Sequence, residues 1–201
     1  MGSLTEAPVR RDRRAERHLQ TRGRIIDTAW SLARERGLAG WSLRDIAESV
    51  GMRAPSLYVY FDSKNALYDA MFADGYRTLL ARIEATSTQG PPADVLRRAA
   101  HLSFDFSVED PARHQLLFLR TIPGFSPSAE SYVLAQAALE KLTEVLRAAG
   151  VGSAEQVDLW TALFTGLASQ QISNDPGGNR WDKLVDVAVA LLVEPRASVP
   201  G

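Results

Sequence analysis

Arg53-Ala54-Pro55 is the point in this chain where residue type and spacing are most chemically directed. Proline fits a helix only in its first turn, so Pro55 places Arg53 and Ala54 at the head of a short helix. Arginine's fork of donors suits the paired acceptors of guanine, a contact worth roughly 1–3 kcal/mol of discrimination, and the alanine methyl suits thymine. The chemistry on offer is recognition rather than catalysis. Gly-x-Ser-x-Gly, phosphate-loop, dinucleotide and metalloprotease patterns do not occur in the sequence. There are three histidines and no cysteine, so disulfides, thiolate metal sites and a cysteine nucleophile are excluded. No enzyme activity is expected.

The elements that position Arg53 are legible around it. Ser42 and Asp45 have the spacing of a cap and its returning carboxylate. Leu43, Ile46, Ala47 and Val50 then recur at helical intervals, predicting a short helix to about Ser49. Gly51 ends it, Met52 is an apolar residue within the turn, and Leu57, Tyr58 and Phe61 continue the second helix. Two short helices joined by a tight glycine turn make a helix-turn-helix, a motif that sets its second helix in a DNA major groove. Charge agrees. The chain carries −1 overall, but residues 1–64 hold twelve Lys/Arg against eight Asp/Glu and the remainder eleven against sixteen. A basic excess confined to the motif's half is what an electrostatic footprint requires.

The segment Ser56-Leu57-Tyr58-Val59-Tyr60-Phe61-Asp62-Ser63-Lys64-Asn65-Ala66-Leu67 resembles the closing signature of the TetR family of bacterial repressors, and the likeness extends from Arg22 to about Phe72. The resemblance implies base contacts from the positions of Arg44 and Tyr58, and phosphate contacts from Ser56, Tyr60 and Lys64. It also implies a phosphate contact from the start of the preceding helix, at Thr21, Arg22 or Arg24. Val59 departs from the family's usual aromatic or basic residue. The family further implies a homodimer on a near-palindromic operator, its two recognition helices roughly 34–36 Å apart or a multiple of that, and release by a small-molecule effector whose identity the sequence does not give. A more distant likeness joins Trp160, Phe164-Thr165-Gly166-Leu167, Asn174 to Gly178 and Trp181 to a C-terminal domain of some actinobacterial members.

The remaining chain reads as all-α. Residues 1–20, rich in arginine (Arg10, Arg11, Arg13, Arg14 and Arg17), are expected to be a disordered basic arm. Residues 21–66 are expected to form a three-helix helix-turn-helix domain whose first helix starts at an N-cap, Thr21. Residues 67–201 are expected to form a helical ligand-binding and dimerisation domain. After a long helix near 63–85, further helices are predicted at about 93–107, 111–120, 128–149, 154–173 and 180–193, divided by proline and glycine. The last is apolar nearly all round, which requires cover on more than one side. Leu163, Gly166, Leu167, Leu184, Val185, Ala188 and Leu191 are therefore expected at a dimer interface. The expected effector pocket draws on His101, Phe104, Phe118, Phe125, Trp160, Phe164 and Gln170. His101 and Asp105 share a helix face at metal-ligand spacing, but no third ligand neighbours them in sequence, so neither a metal nor another cofactor is expected. No apolar run reaches the roughly 20 residues of a membrane span, and a cytoplasmic protein is expected. Two alternatives stay open: a helical interaction module that does not bind DNA, and an activator rather than a repressor of the same family.

Overall fold

The computed structural model describes residues 6–193, with side chains from residue 13 to residue 192. Among these residues the secondary structure is entirely helical. The helices are α1 (Glu6–Arg36), α2 (Leu43–Ser49), α3 (Ala54–Leu57), α4 (Lys64–Glu84), α5 (Pro92–Val108), α6 (Pro111–Phe118), α7 (Ala129–Ala148), α8 (Ala154–Asn174) and α9 (Val185–Val193), with a 3₁₀ turn at Asp182–Leu184 before the last. The chain divides into two compact units: residues up to Met71 together with Gly124–Ser126, and Phe72–Pro123 together with Pro127 onward.

One expectation about the first unit is corrected. Its first helix begins at Glu6, not near Thr21, so Thr21 lies in mid-helix and caps nothing. Residues 9–22 contain neither proline nor glycine and are mostly arginine, glutamate, alanine, leucine and glutamine, all strong helix formers. Their polarity had suggested disorder, but polarity decides burial more than it decides backbone conformation. Residues 1–5 of the expected arm lie outside the described residues.

The core of this unit gathers Ile25, Ala29 and Trp30 of α1 with Ile46 and Ala47 of α2, then Leu57, Phe61 and Leu67. Ser42 and Asp45 form the predicted capping box: the Asp45 carboxylate accepts from the Ser42 amide at 2.7 Å, while Ser42 Oγ accepts from the Asp45 amide at 3.3 Å. At the other end of α2, Gly51 adopts φ +72°, the Met52 amide donates to the Ala47 carbonyl at 2.8 Å, and the Gly51 amide donates to Glu48 at 3.0 Å. That pair of bonds is a Schellman stop, which needs the left-handed backbone that glycine adopts freely. The turn before α3 is therefore fixed by backbone hydrogen bonds.

In the second unit α5 is the central helix and packs against α6, α7, α8 and α9. Phe104 and Phe106 of α5, Leu146 of α7, Trp160 and Phe164 of α8 and Val185 of α9 are all nearly inaccessible. Three of the unit's helices begin on side-chain caps: Asp110 accepts from the Arg113 amide, Ser128 from Ser131, and Ser153 exchanges bonds with Gln156. Gly75 of α4 faces Leu117 of α6 closely: a β-carbon there would stand 2.8 Å from the leucine Cδ1. Glycine allows that approach of the two helices.

Candidate nucleic-acid interface and effector cavity

Arg44 on α2 and Arg53, Pro55, Ser56 and Tyr58 around α3 are exposed, with Tyr58 55% accessible. Arg53 is the residue before α3 and makes no side-chain cap, so its guanidinium is not spent on the helix it precedes. Ala54 is half-buried. The helix itself is a single turn, and Tyr58 to Tyr60 follow as turn residues, so the periodicity that had extended it to Phe61 overstated its length. The Tyr60 and Phe61 amides both donate to the Leu57 carbonyl, which tightens the backbone after that turn. Val59, 72% exposed, adds an apolar group beside Tyr58.

Other predicted contact residues are used for positioning as well. Arg22 Nη1 donates to the Tyr60 carbonyl at 3.0 Å and its guanidinium lies 4.2 Å over the Phe61 ring, tying α1 to the end of the motif. Arg24 Nη2 reaches the Val50 carbonyl at 3.5 Å. The Tyr60 ring stacks on His18 at 4.6 Å. Lys64 Nζ donates to the carbonyls of Ala39 at 3.2 Å and Trp41 at 2.5 Å, and lies 4.3 Å over the Trp41 ring. Burial there holds its pKa below the ordinary lysine value, the nearby Asp45 opposing that shift. An ammonium has three donors, so these two carbonyls leave one for a phosphate. Sequence reasoning had Lys64 as a contact alone. Its second role, clamping the α1–α2 connection, depends on residues more than twenty positions upstream.

The second unit contains a cavity of about 260 Å³ bounded by α4, α5, α6, α7 and α8. Phe118, Trp160 and Phe164 line it as expected, with Tyr76, Phe106 and Tyr132 supplying further aromatic wall. No charged side chain lines it. Among its polar groups, Ser103 Oγ donates to the Ala99 carbonyl at 2.8 Å and accepts from Trp160 Nε1 at 3.3 Å. Tyr76 hydroxyl donates to the Leu117 carbonyl at 3.2 Å, and burial raises its pKa to about 12, so it stays a neutral phenol.

Four of the expected pocket residues lie elsewhere. Phe104 is buried on another face of α5, 1% exposed. Phe125 belongs to the first unit, its ring 5.7 Å from Tyr68, because the chain after Pro123-Gly124 returns there. Gln170 is exposed and bonded to Asn174. Its neighbour Gln171 is the buried glutamine: its Oε1 accepts from the Trp181 amide at 2.9 Å and its amide nitrogen donates to Asp175, closing the turn after α8. His101 lies at the surface, with Nε2 3.4 Å from an Asp186 carboxylate that Arg97 also reaches at 3.2 Å. Asp182 completes a group with His101 and Asp105 whose ligand atoms lie within 4.8 Å of one another. That third residue arrives from the 3₁₀ turn, far along the chain.

The expected interface residues divide as well. Leu167, Val185 and Ala188 are buried within the protomer itself, at 9%, 0% and 3%, so they are core residues rather than partner contacts. Leu163 is half-buried, and Gly166, Leu184 and Leu191 are exposed. Val187, at 52%, is a further exposed apolar residue of α9.

Residues 25–71 match the profile described as bacterial regulatory proteins, tetR family. The likeness to that family lies in the helix-turn-helix unit. Over 46 residues it is 48% identical to the biofilm operon icaADBC HTH-type negative transcriptional regulator IcaR of Staphylococcus aureus, a match covering 23% of this chain and 25% of that protein. The chain thus spans about a quarter of the length of such curated relatives. Among solved structures, the regulatory protein SCO4313 superimposes with a TM-score of 0.75 at 22% identity, covering 90% of this chain and 98% of that one. The regulator FadR of Bacillus subtilis, solved with stearoyl-CoA, gives 0.65 at 18% identity, covering 85% and 97%. At those identities the two structures speak for the fold. Members of this family are DNA-binding regulators, not enzymes.

Proposed function

We propose that this chain is a transcriptional repressor that binds a near-palindromic duplex as a homodimer and is released by a small uncharged molecule. The observation that supports it best is the exposed set Arg44, Arg53, Ser56 and Tyr58 on a motif whose turn is fixed by backbone hydrogen bonds. Arg53 and Arg44 read base edges, and Ser56 and the remaining Lys64 donor hold phosphates. Repression is supported by the printed role of IcaR as a negative regulator. No helix among the described residues is long and apolar enough to cross a membrane, and the cytoplasm, where DNA is, is the proposed site of action. The first unit is the DNA-binding domain and the second the ligand-binding and dimerisation domain.

Selection of bound duplexes from a random library is expected to return a palindrome. Arg53→Ala should then weaken operator binding by about 1–3 kcal/mol and relax preference at one position of each half-site. An unaltered sequence preference would remove Arg53 from the reading set.

For the effector, the uncharged lining of the cavity supports a neutral, largely apolar molecule, since an unpaired charge brought there would lose its hydration. Such a molecule releases DNA only if it favours the released conformation over the bound one. For the dimer, Leu184 of the 3₁₀ turn and Val187 and Leu191 of α9 leave apolar surface, and a β-carbon at Gly166 would meet nothing within 4 Å, leaving room for a helix to approach. Replacing Leu184 and Leu191 together with glutamate is expected to give a folded monomer, or aggregate, in analytical ultracentrifugation. A stable dimer of the doubly substituted chain would locate the interface elsewhere.

A further inference from the structure

The arginine-rich start of the chain is helical from Glu6, and helical spacing sorts its charges. At 3.6 residues per turn, Arg13, Arg14, Arg17 and Arg24 fall at intervals of one, three and seven residues along one face of α1, while Glu16 falls outside that stripe. Arg13, Arg14 and Arg17 are all exposed. No ion pair among the described residues engages them, and among those residues they lie beyond anything the helix-turn-helix needs for its core. Two contacts fix where the stripe runs. His18 stacks on Tyr60 at 4.6 Å, and Arg24 reaches the Val50 carbonyl at 3.5 Å, so the helix that carries the stripe starts beside the motif's turn and passes Tyr60, in the turn that follows α3. From Arg24 to Arg13 the helix rises about 16 Å, and Arg13 lies only about 8 Å along the axis from His18.

We infer that this face of α1 is a second DNA-contacting surface, which lays three cations along the sugar–phosphate backbone flanking the base pairs read by the motif. The inference rests on the DNA-binding reading above and adds to it a sequence-independent contact that the helix-turn-helix alone does not supply. A cation array without a rigid base-facing partner recognises repeated phosphate charge and not base identity. Each phosphate neutralised releases counterions, so each arginine contributes about 0.9 to the slope of log Kobs against log salt. Because the stripe is on a continuous helix anchored at His18 and Arg22, the backbone that carries its cations is set before DNA arrives.

The test compares the full chain with Arg13→Ala/Arg14→Ala/Arg17→Ala and with the charge-retaining triple lysine variant, by titrating a labelled duplex between about 50 and 200 mM salt. Two probes are used, the selected operator and a mixed-sequence duplex of equal length. The alanine variant is expected to lower the slope by about 2–3 on both probes, keep the same selected palindrome, and shorten the protected footprint at its outer edges. The lysine variant is expected to keep the slope. A slope unchanged by the alanine substitutions, in a protein that still binds its operator, would overturn this inference and leave the helix-turn-helix reading intact. A slope lost equally with lysine would also overturn it, because the effect would then not follow charge. A wild-type chain that binds neither probe would overturn both readings together.

Discussion

Replacing Trp160 by alanine is expected to cost about 3–5 kcal/mol of unfolding free energy. The residue is 1% exposed, its ring lies 4.5 Å from that of Phe164, and it sits where α8 packs on the central helix α5. Truncation removes the transfer energy of a full indole and leaves a void that flanking helices fill only in part. It also removes the donor that Ser103 Oγ accepts, leaving that oxygen with a spare acceptor site in an apolar wall. Urea-induced unfolding followed by circular dichroism measures the loss directly. Because Trp160 lines the cavity, the alanine variant should also hold a larger apolar ligand than the wild type. A small neutral aromatic added in excess of its Kd by about a hundredfold should then restore roughly 2.7 kcal/mol to the variant. A loss below about 1 kcal/mol would mean that the α5–α8 seam is not the core of this unit.

The same residue shows which features of the chain its sequence discloses. Trp160 and Phe164 could be placed on an inward helix face because their spacing is local, and Ser153 with Gln156 because a capping box spans three residues. The helix-turn-helix was legible for the same reason: its cap, its glycine stop and Arg53 all lie within a dozen residues. What was hidden depends on contacts far apart in sequence. Phe125 left the expected pocket because a proline–glycine turn returns it to the first unit, where Tyr68 receives it. Asp182 joined His101 and Asp105 from across the unit. Composition misled in two places. Arginine density suggested an unstructured arm where helix propensity builds α1, and an apolar α9 suggested a wrapped helix where only one face, Val185, Ala188 and Val189, is buried. Gln171 was passed over for Gln170, since one residue along a helix turns a side chain by about 100° and nothing in the sequence marks which of two glutamines looks inward.

Acid should unfold the second unit partly through His114, and replacing that residue should flatten the response. His114 is 1% exposed on α6, with its ring 5.6 Å from Phe118. Ser169 Oγ gives its proton to the Thr165 carbonyl at 2.8 Å and so accepts from His114 Nε2 at 2.9 Å. This network assigns the proton to Nε2 and leaves Nδ1 buried, bare and without a partner. A second proton would have no acceptor among the described residues, and burial pushes the pKa down to about 4 from 6.5. In the unfolded chain the imidazole protonates near 6.5; in the folded chain it resists until about 4. Between those values the unfolded state binds more protons, so stability falls as pH falls. Above them both states are neutral and the contribution is complete. The full difference is on the order of 3 kcal/mol. His114→Gln can still donate to Ser169 and cannot titrate. It should lower stability modestly at pH 7, and its deficit against wild type should shrink by about 2–3 kcal/mol, or reverse, near pH 4.5. Carboxylates titrate in both proteins and cancel in that comparison. A deficit that is the same at both pH values would show that His114 is not held neutral by its burial.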